Sequence, residues 1–148
     1  MTAPGCSSEG GNGSCTDYAQ PADFNAQSPK VSFANDVMPI FAQSCGFVSC
    51  HGSTVGDPNG VYLGSDAARA YKALVGVRST QLSTMSFVTA NDTANSYLMH
   101  KMDASTCTLD AKCTGGSCGQ SMPKGDPPLP IDTRDVVRRW ILQGAQDN

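Results

Sequence analysis

The apolar residues of this chain form four short stretches with helical spacing, separated by polar segments rich in Gly, Ser, Asn and Pro. Apolar residues three and four positions apart lie on one face of a helix and give it a side to bury. The pattern predicts helices over 35–44, 66–75, 94–102 and 133–143. The sequence shows no strand-rich region and no internal repeat, so we expect an all-α fold.

Local signals mark the ends of the first three helices. Pro39 falls in the first turn of the first helix, where a missing amide is tolerated. Ser65 is the predicted N-cap of the second helix, and Gly76 is placed to end it in a left-handed conformation. Asp92 or Thr93 is expected to cap the third helix.

The last helix has the clearest signals. Asp132 is its predicted N-cap, Asp135 takes the capping-box position, and Ile131 can pack on Val136 as a hydrophobic staple. Gly144 follows the last apolar position and is expected to end the helix.

Two segments lack this periodicity. Residues 1–30 have the composition of a flexible tether, so the folded domain is expected over 31–146. Residues 103–130 are predicted to form a long, cross-linked loop, and loops of this length are usually functional. The loop contains Cys107, Cys113 and Cys118.

Composition limits the kind of protein. A chain of 148 residues with 39% hydrophobic content can build one core of modest size. Its net charge of −3 argues against a nucleic-acid partner. No apolar run reaches the roughly 18 residues that a membrane span needs, so we expect a soluble domain.

One short motif suits a specific chemistry. Cys45 and Cys50 are separated by four residues, and His51 follows directly. Each thiol can add to one vinyl group of a haem, and a histidine after the second thiol then reaches the iron. The usual spacer has two residues, so we expect the two added residues to bulge outward. The motif predicts one covalently attached haem c with His51 as an axial ligand.

Two simpler interpretations of the motif stay open. Cys45 and Cys50 could close a small disulfide loop, or they could join His51 in a zinc site. Zinc sites usually need four ligands. The other histidine, His100, has no cysteine within five residues to complete a recognisable pair.

An iron that shuttles electrons needs a second axial ligand. Met122 is the preferred candidate, because Pro123 favours an extended backbone there and the thioether would project from a stiff loop. His100 is the rival, although the apolar face of its predicted helix puts it on the polar side with Lys101. Three other methionines lie on predicted helices and are expected to be packing residues: Met38, Met99 and Met102.

Seven cysteines in so short a chain indicate an oxidising compartment, the periplasm or the cell surface. If haem takes two of the seven, five remain, and one of these five has no partner for a disulfide. The residues around Cys6 resemble the start of a mature bacterial lipoprotein, so lipidation of Cys6 would account for the odd thiol and tether the protein to a membrane. The others could then form two disulfides: Cys15, Cys107, Cys113 and Cys118.

Several segments follow one another in an order that resembles the single-haem c-type cytochrome domains of bacterial exported and lipoprotein-like proteins. They are 32–41, the cysteine–histidine motif, 95–98 with Lys101, 122–125 with Pro128 and Leu129, and 140–145. The resemblance covers 31–146.

This resemblance implies the small all-helical cytochrome c fold, with the first and last helices crossing beside the haem edge. Val37, Ile40 and Phe41 would meet Val136, Trp140 and Ile141. The implied haem and iron ligands are Cys45, Cys50, His51 and Met122. The chain departs from the family pattern in its four-residue spacer and in a cysteine-rich insertion at 107–118. A Cys107–Cys118 disulfide is expected there, since it would stiffen the loop that presents Met122.

These observations favour an electron carrier that passes one electron at a time to other redox proteins and is not an enzyme by itself. It could still be part of a larger oxidoreductase. Two hypotheses of other classes stay open. One is a haem sensor or peroxidase-like enzyme with a labile sixth ligand. The other is a haem-free secreted binding module stapled by disulfides.

Overall fold

The computed structural model describes residue 15 and residues 18–56 and 60–148. This part of the chain forms four α-helices, preceded by a π-helical turn at Phe33–Val37. The α-helices are α1 (Met38–Ser44), α2 (Ala67–Leu74), α3 (Tyr97–Met102) and α4 (Ile131–Leu142). Extended segments pair only through isolated bridges in the described residues. The fold is mainly helical, as the sequence predicted.

The first helical segment starts two residues before its predicted position, because the π turn precedes α1. Ser32 accepts a hydrogen bond from a first-turn amide at 3.1 Å, which satisfies one of the donors that helix starts leave unpaired. At the other end, the Phe41 carbonyl accepts from the amides of Cys45 at 2.7 Å and Gly46 at 2.6 Å. These bonds turn the chain directly into the cysteine–histidine loop.

The predicted position of α2 is confirmed, but its cap is a different residue. Asp66, and not Ser65, is the N-cap, and its carboxylate accepts from the Arg69 amide at 3.0 Å. Gly76 follows the helix with φ of +73°. This left-handed conformation costs other residues about 1–2 kcal/mol, so the glycine ends α2 where expected.

α3 is shorter than predicted. It begins at Tyr97, and its N-cap, Ser96, makes no capping bond through its side chain. Asp92 instead accepts from the Asn95 amide at 3.0 Å in the turn before the helix. The polar residues that suggested an earlier start therefore stabilise a turn.

The capping prediction for α4 is wrong. The helix begins at Ile131, so Asp132 lies inside the first turn and Ile131 is not the residue before the cap. Asp135 is buried, and it accepts from Arg138 at 3.1 Å and from the Tyr18 hydroxyl at 2.8 Å. The Asp135 carboxylate therefore binds Tyr18 and Arg138 and does not form the predicted capping box.

An aromatic cluster joins the two ends of the described fold. The ring of Phe33 lies 4.8 Å from Trp140, 5.5 Å from Tyr71 and 6.4 Å from Phe41, measured between centroids. Phe33, Phe41 and Trp140 are almost completely buried. The first and last helical segments therefore pack against each other in the core.

Residues 18–30, which the sequence placed in a tether, contact α4. The guanidinium of Arg139 lies 4.9 Å from the Phe24 ring, and its Nε donates to the Asn25 carbonyl at 2.9 Å. Gln143 donates to a carbonyl of the same segment at 2.9 Å. The described part of this segment therefore packs on the helical domain.

The long segment at 103–130 is not entirely irregular. It contains short 3₁₀ helices at Thr106–Lys112 and Thr114–Gly116. The repeat of a 3₁₀ helix is three residues per turn. A search for 3.6-residue periodicity therefore misses it.

Two disulfides are present among the described cysteines, Cys15–Cys107 and Cys113–Cys118. They are typical of an oxidising, extracellular-type environment. The sequence analysis left these four cysteines to form two disulfides, and they do. The predicted Cys107–Cys118 disulfide is wrong, because Cys107 bonds to Cys15. Cys6 lies outside the described residues.

Candidate functional site

The cysteine–histidine loop closes into a compact turn directly after α1. The His51 amide donates to the Cys45 carbonyl at 3.2 Å, and the Cys50 amide donates to the Phe47 carbonyl at 2.9 Å. Val48, at the tip, is 76% exposed. The lengthened spacer is thus accommodated on the outside, while backbone hydrogen bonds hold the two ends.

Two glycines allow this close packing. An ideal Cβ at Gly52 would lie 1.9 Å from the Gly46 carbonyl oxygen, and one at Gly46 would lie 2.6 Å from the Leu63 carbonyl oxygen. Neither separation is compatible with a side chain. The Leu63 amide also donates to the His51 carbonyl at 2.7 Å, so the loop is fastened to the segment that follows it.

His51 is buried, with a defined hydrogen bond at one ring nitrogen. Its Nδ1 lies 3.2 Å from the Val61 carbonyl oxygen. A carbonyl oxygen only accepts, so Nδ1 is the donor in this contact. A hydrogen bond of this kind orients histidines that bind metals and makes them better ligands.

The two cysteines of the loop are in different chemical states. Cys45 is a buried free thiol, and burial raises its pKa to about 11, so it is protonated at neutral pH. Cys50 is disulfide-bonded. The interpretation of a Cys45–Cys50 disulfide is therefore wrong. A thioether at Cys50 requires that an external dithiol first reduce its disulfide by thiol–disulfide exchange, with the dithiol oxidised in turn.

Cys45, Cys50 and His51 line a cavity of about 1010 Å³, and Met122 lines it too. Small-molecule sites in proteins span roughly 300–1,000 Å³, so this cavity is at the upper end of that range. Many of its other lining residues are apolar, among them Leu63, Leu74, Phe87, Leu98, Met102 and Leu129. Four of the candidate residues therefore share one cavity.

The two candidates for the sixth ligand are placed differently. Met122 lies at the cavity, and its amide donates to the Lys101 carbonyl at 2.9 Å. His100 is not among the lining residues. Its ring nitrogens lie 2.9 Å from the Ser105 hydroxyl and 2.9 Å from the Ala94 carbonyl oxygen. The structure thus brings Met122 to the site and directs His100 to other partners.

Lys101 is a site residue that the sequence analysis missed. It was expected on the polar side of its helix, but it is only 8% exposed and lines the cavity. Burial lowers its pKa to about 8, although the charge of Asp110 acts in the opposite direction. The available signal was its spacing, since Lys101 follows Tyr97 by four positions and Leu98 by three and so lies on their face.

Two features are absent from the part of the chain that the structure describes. No three His, Cys, Asp or Glu side chains there are grouped as a metal-ion site, so the zinc interpretation finds no ligand set among them. None of the helices there has both the length and the apolar character to cross a membrane.

The residues at the cavity fit a covalently attached haem. Cys45 supplies a thiol, and Cys50 supplies a second sulfur once its disulfide is reduced. His51 offers an imidazole oriented by the Val61 carbonyl, and Met122 offers a thioether. The apolar walls suit a flat macrocycle, because burying apolar surface is favourable.

Comparisons of this chain with known protein families, with curated proteins and with solved structures found no match. The functional conclusion therefore rests on the residues of the chain itself.

Proposed function

We propose that the protein is an electron carrier that holds one haem c, attached through Cys45 and Cys50 and ligated by His51 and Met122. The supporting observation is the shared cavity, which all four residues line. Met122 is separated from the cysteine–histidine loop by most of the domain sequence. Its position at the same cavity therefore depends on how the chain folds.

Each residue would have a distinct role. His51 would present Nε2, with the Val61 carbonyl keeping the ring in the required tautomer. Met122 would supply a soft thioether, which favours ferrous iron and raises the reduction potential above that of a bis-histidine site. Haem, when bound, supplies one-electron chemistry at its iron.

The fold and the disulfides agree with this proposal. The aromatic contact between Phe33 and Trp140 joins the π-helical turn to α4, and the proposed cytochrome fold needs a contact between the two ends of the domain. The disulfides suit a periplasmic or cell-surface location, where the partners would be other redox proteins. Lipidation of Cys6 would add a membrane anchor.

A second candidate function is favoured by the disulfide at Cys50. In a haem-free secreted binding module, that bond would be permanent, and the apolar cavity would take a small apolar ligand. The two functions differ in the state of the Cys50 sulfur, so they are separable by experiment.

The deciding experiment is an absorption spectrum of protein exported together with a haem-attachment system, followed by denaturation in acid and organic solvent. Haem that stays with the chain, with an intact mass increased by one haem, supports the electron carrier. A colourless protein whose mass shows only disulfide formation would overturn it and leave the binding module.

The sixth ligand is tested by a Met122→His variant, with His100→Ala as the matched control. Met122→His is expected to lose the ferric methionine–iron absorption band and to lower the reduction potential markedly, because imidazole stabilises ferric iron. His100→Ala should change neither. An unchanged potential in Met122→His would remove Met122 from the ligand set. Ready binding of carbon monoxide by the reduced wild-type protein would instead indicate the sensor or peroxidase-like function.

A further inference from the structure

The ammonium group of Lys101 is buried beside the main chain that leads to Met122. Its Nζ donates to the carbonyl of Cys118 and, at 2.9 Å, to the carbonyl of Gln120. A charged donor makes stronger hydrogen bonds than a neutral one, particularly away from water. One side chain of α3 therefore joins two alternate carbonyls of the loop at 118–122.

The backbone of the same residue continues this attachment. The Lys101 carbonyl accepts from the Met122 amide at 2.9 Å. Tyr97, one turn earlier on α3, donates through its hydroxyl to the Cys118 carbonyl at 3.1 Å. The loop is thus fastened to α3 at positions 118, 120 and 122.

The residue between the first two attachment points fits closely against the same wall. Gly119 has φ of +70°, and an ideal Cβ there would lie 2.9 Å from the Gln81 side-chain nitrogen and 3.6 Å from the Lys101 Nζ. The loop backbone therefore lies close to Lys101, in a left-handed conformation that favours glycine. Upstream, the Cys113–Cys118 disulfide closes the chain just before the attached segment.

We propose that Lys101 is the positioning residue for Met122, holding the loop at 118–122 so that the thioether faces the cavity. This inference rests on the proposed function, since it takes Met122 as an iron ligand. Lys101 acts through the main chain and does not itself bind iron. A lysine that only filled the core would leave the placement of Met122 unchanged when replaced by a residue of similar shape.

The test uses the full chain with Lys101→Leu, which keeps an apolar stem, removes the donors and adds no iron ligand. Lys112→Leu is the control, since it removes the same charge from an exposed position. In Lys101→Leu we expect haem to stay attached, the methionine–iron band to disappear and carbon monoxide binding to the reduced protein to strengthen at least tenfold. Lys101→Arg should be intermediate, because it retains charged donors. A wild-type band in Lys101→Leu would overturn the proposal.

Hydrogen exchange provides a readout that does not depend on haem. The acceptor of the Met122 amide is the main-chain carbonyl of Lys101, which Lys101→Leu retains, so faster exchange of this amide would show that the ammonium holds the loop. We expect at least tenfold faster exchange at Met122 in Lys101→Leu and unchanged exchange in α4. Unchanged exchange at Met122 would overturn the proposal even if the wild-type protein carries no haem. If Lys101→Leu does not fold, the same comparison is made with Lys101→Gln, which also lacks the ammonium group, so unchanged exchange there has the same meaning.

Discussion

Gly46 and Gly52 allow the lengthened cysteine–histidine loop to close. The carbonyl oxygen of Gly46 occupies the space where a side chain at Gly52 would begin. The sequence shows both glycines, but it does not show that they touch each other. Their role follows from a backbone contact across the loop, which keeps His51 at the cavity.

A Gly52→Ala substitution is expected to destabilise the protein by about 3 kcal/mol or more, because its Cβ would lie 1.9 Å from the Gly46 oxygen. Gly115→Ala is the control. Its φ is +75° and an added Cβ would meet nothing within 4 Å, so it should cost only about 1–2 kcal/mol of backbone strain. Denaturant unfolding of both variants measures the difference. Equal losses would mean that the loop relaxes around the added methyl group.

At the scale of elements, residues 18–30 and α4 are joined by a partly buried polar contact. The Tyr18 hydroxyl donates to Asp135 at 2.8 Å, and the Arg138 guanidinium lies 3.3 Å from the centre of the Tyr18 ring. Burial, followed by the hydrogen bond to Asp135, raises the pKa of Tyr18 to about 12. The protonated phenol is therefore the form that the fold favours.

A Tyr18→Phe variant is expected to lose about 1.5 kcal/mol at pH 7, the usual value of a hydrogen bond to a charged acceptor. In the wild type, this contribution should be complete below the unfolded pKa of about 10 and should fade as the pH rises towards the folded value of about 12. Unfolding free energies of both proteins, measured between pH 7 and 12, give the difference. A difference that stays constant over that range would contradict the assignment.

Elements whose signals come from neighbouring residues were predicted well, and features that depend on contacts with distant residues were not. α2 and α4 have apolar positions at helical spacing, and both lie within two residues of the predicted bounds. The 3₁₀ helices lack that spacing. The predicted capping box of α4 was wrong, because Tyr18 and Arg138 hydrogen-bond to Asp135. A cap motif contains no information about partners from other elements.

At the scale of the whole molecule, the two disulfides that join described cysteines constrain very different lengths of chain. Cys15 and Cys107 are 92 positions apart, whereas Cys113 and Cys118 are 5 apart. Closing a long loop removes more conformational entropy from the unfolded chain than closing a short one. The long bridge also joins the segment before the helical domain to the segment that precedes Met122.

Replacing Cys15 and Cys107 together by Ala is therefore expected to cost about 4–5 kcal/mol, and replacing Cys113 and Cys118 about 2 kcal/mol. Unfolding of the two double variants under identical conditions measures both values. The reverse order would show that native contacts of the short bridge outweigh the entropy of the long one.

The sequence by itself determined what depends on neighbouring residues. Helical spacing located the helices, the number of cysteines indicated disulfides, and the Cys45–Cys50–His51 order suggested the candidate chemistry. Such features depend on residues a few positions apart, so spacing and composition reveal them.

Only the tertiary structure decided what depends on distant residues. It paired Cys15 with Cys107, buried Lys101 beside the loop of Met122, and directed His100 to Ser105 and Ala94. Which polar groups are buried, and with which partners, depends on how helices and loops pack. Those contacts join parts of the chain that sequence patterns treat separately.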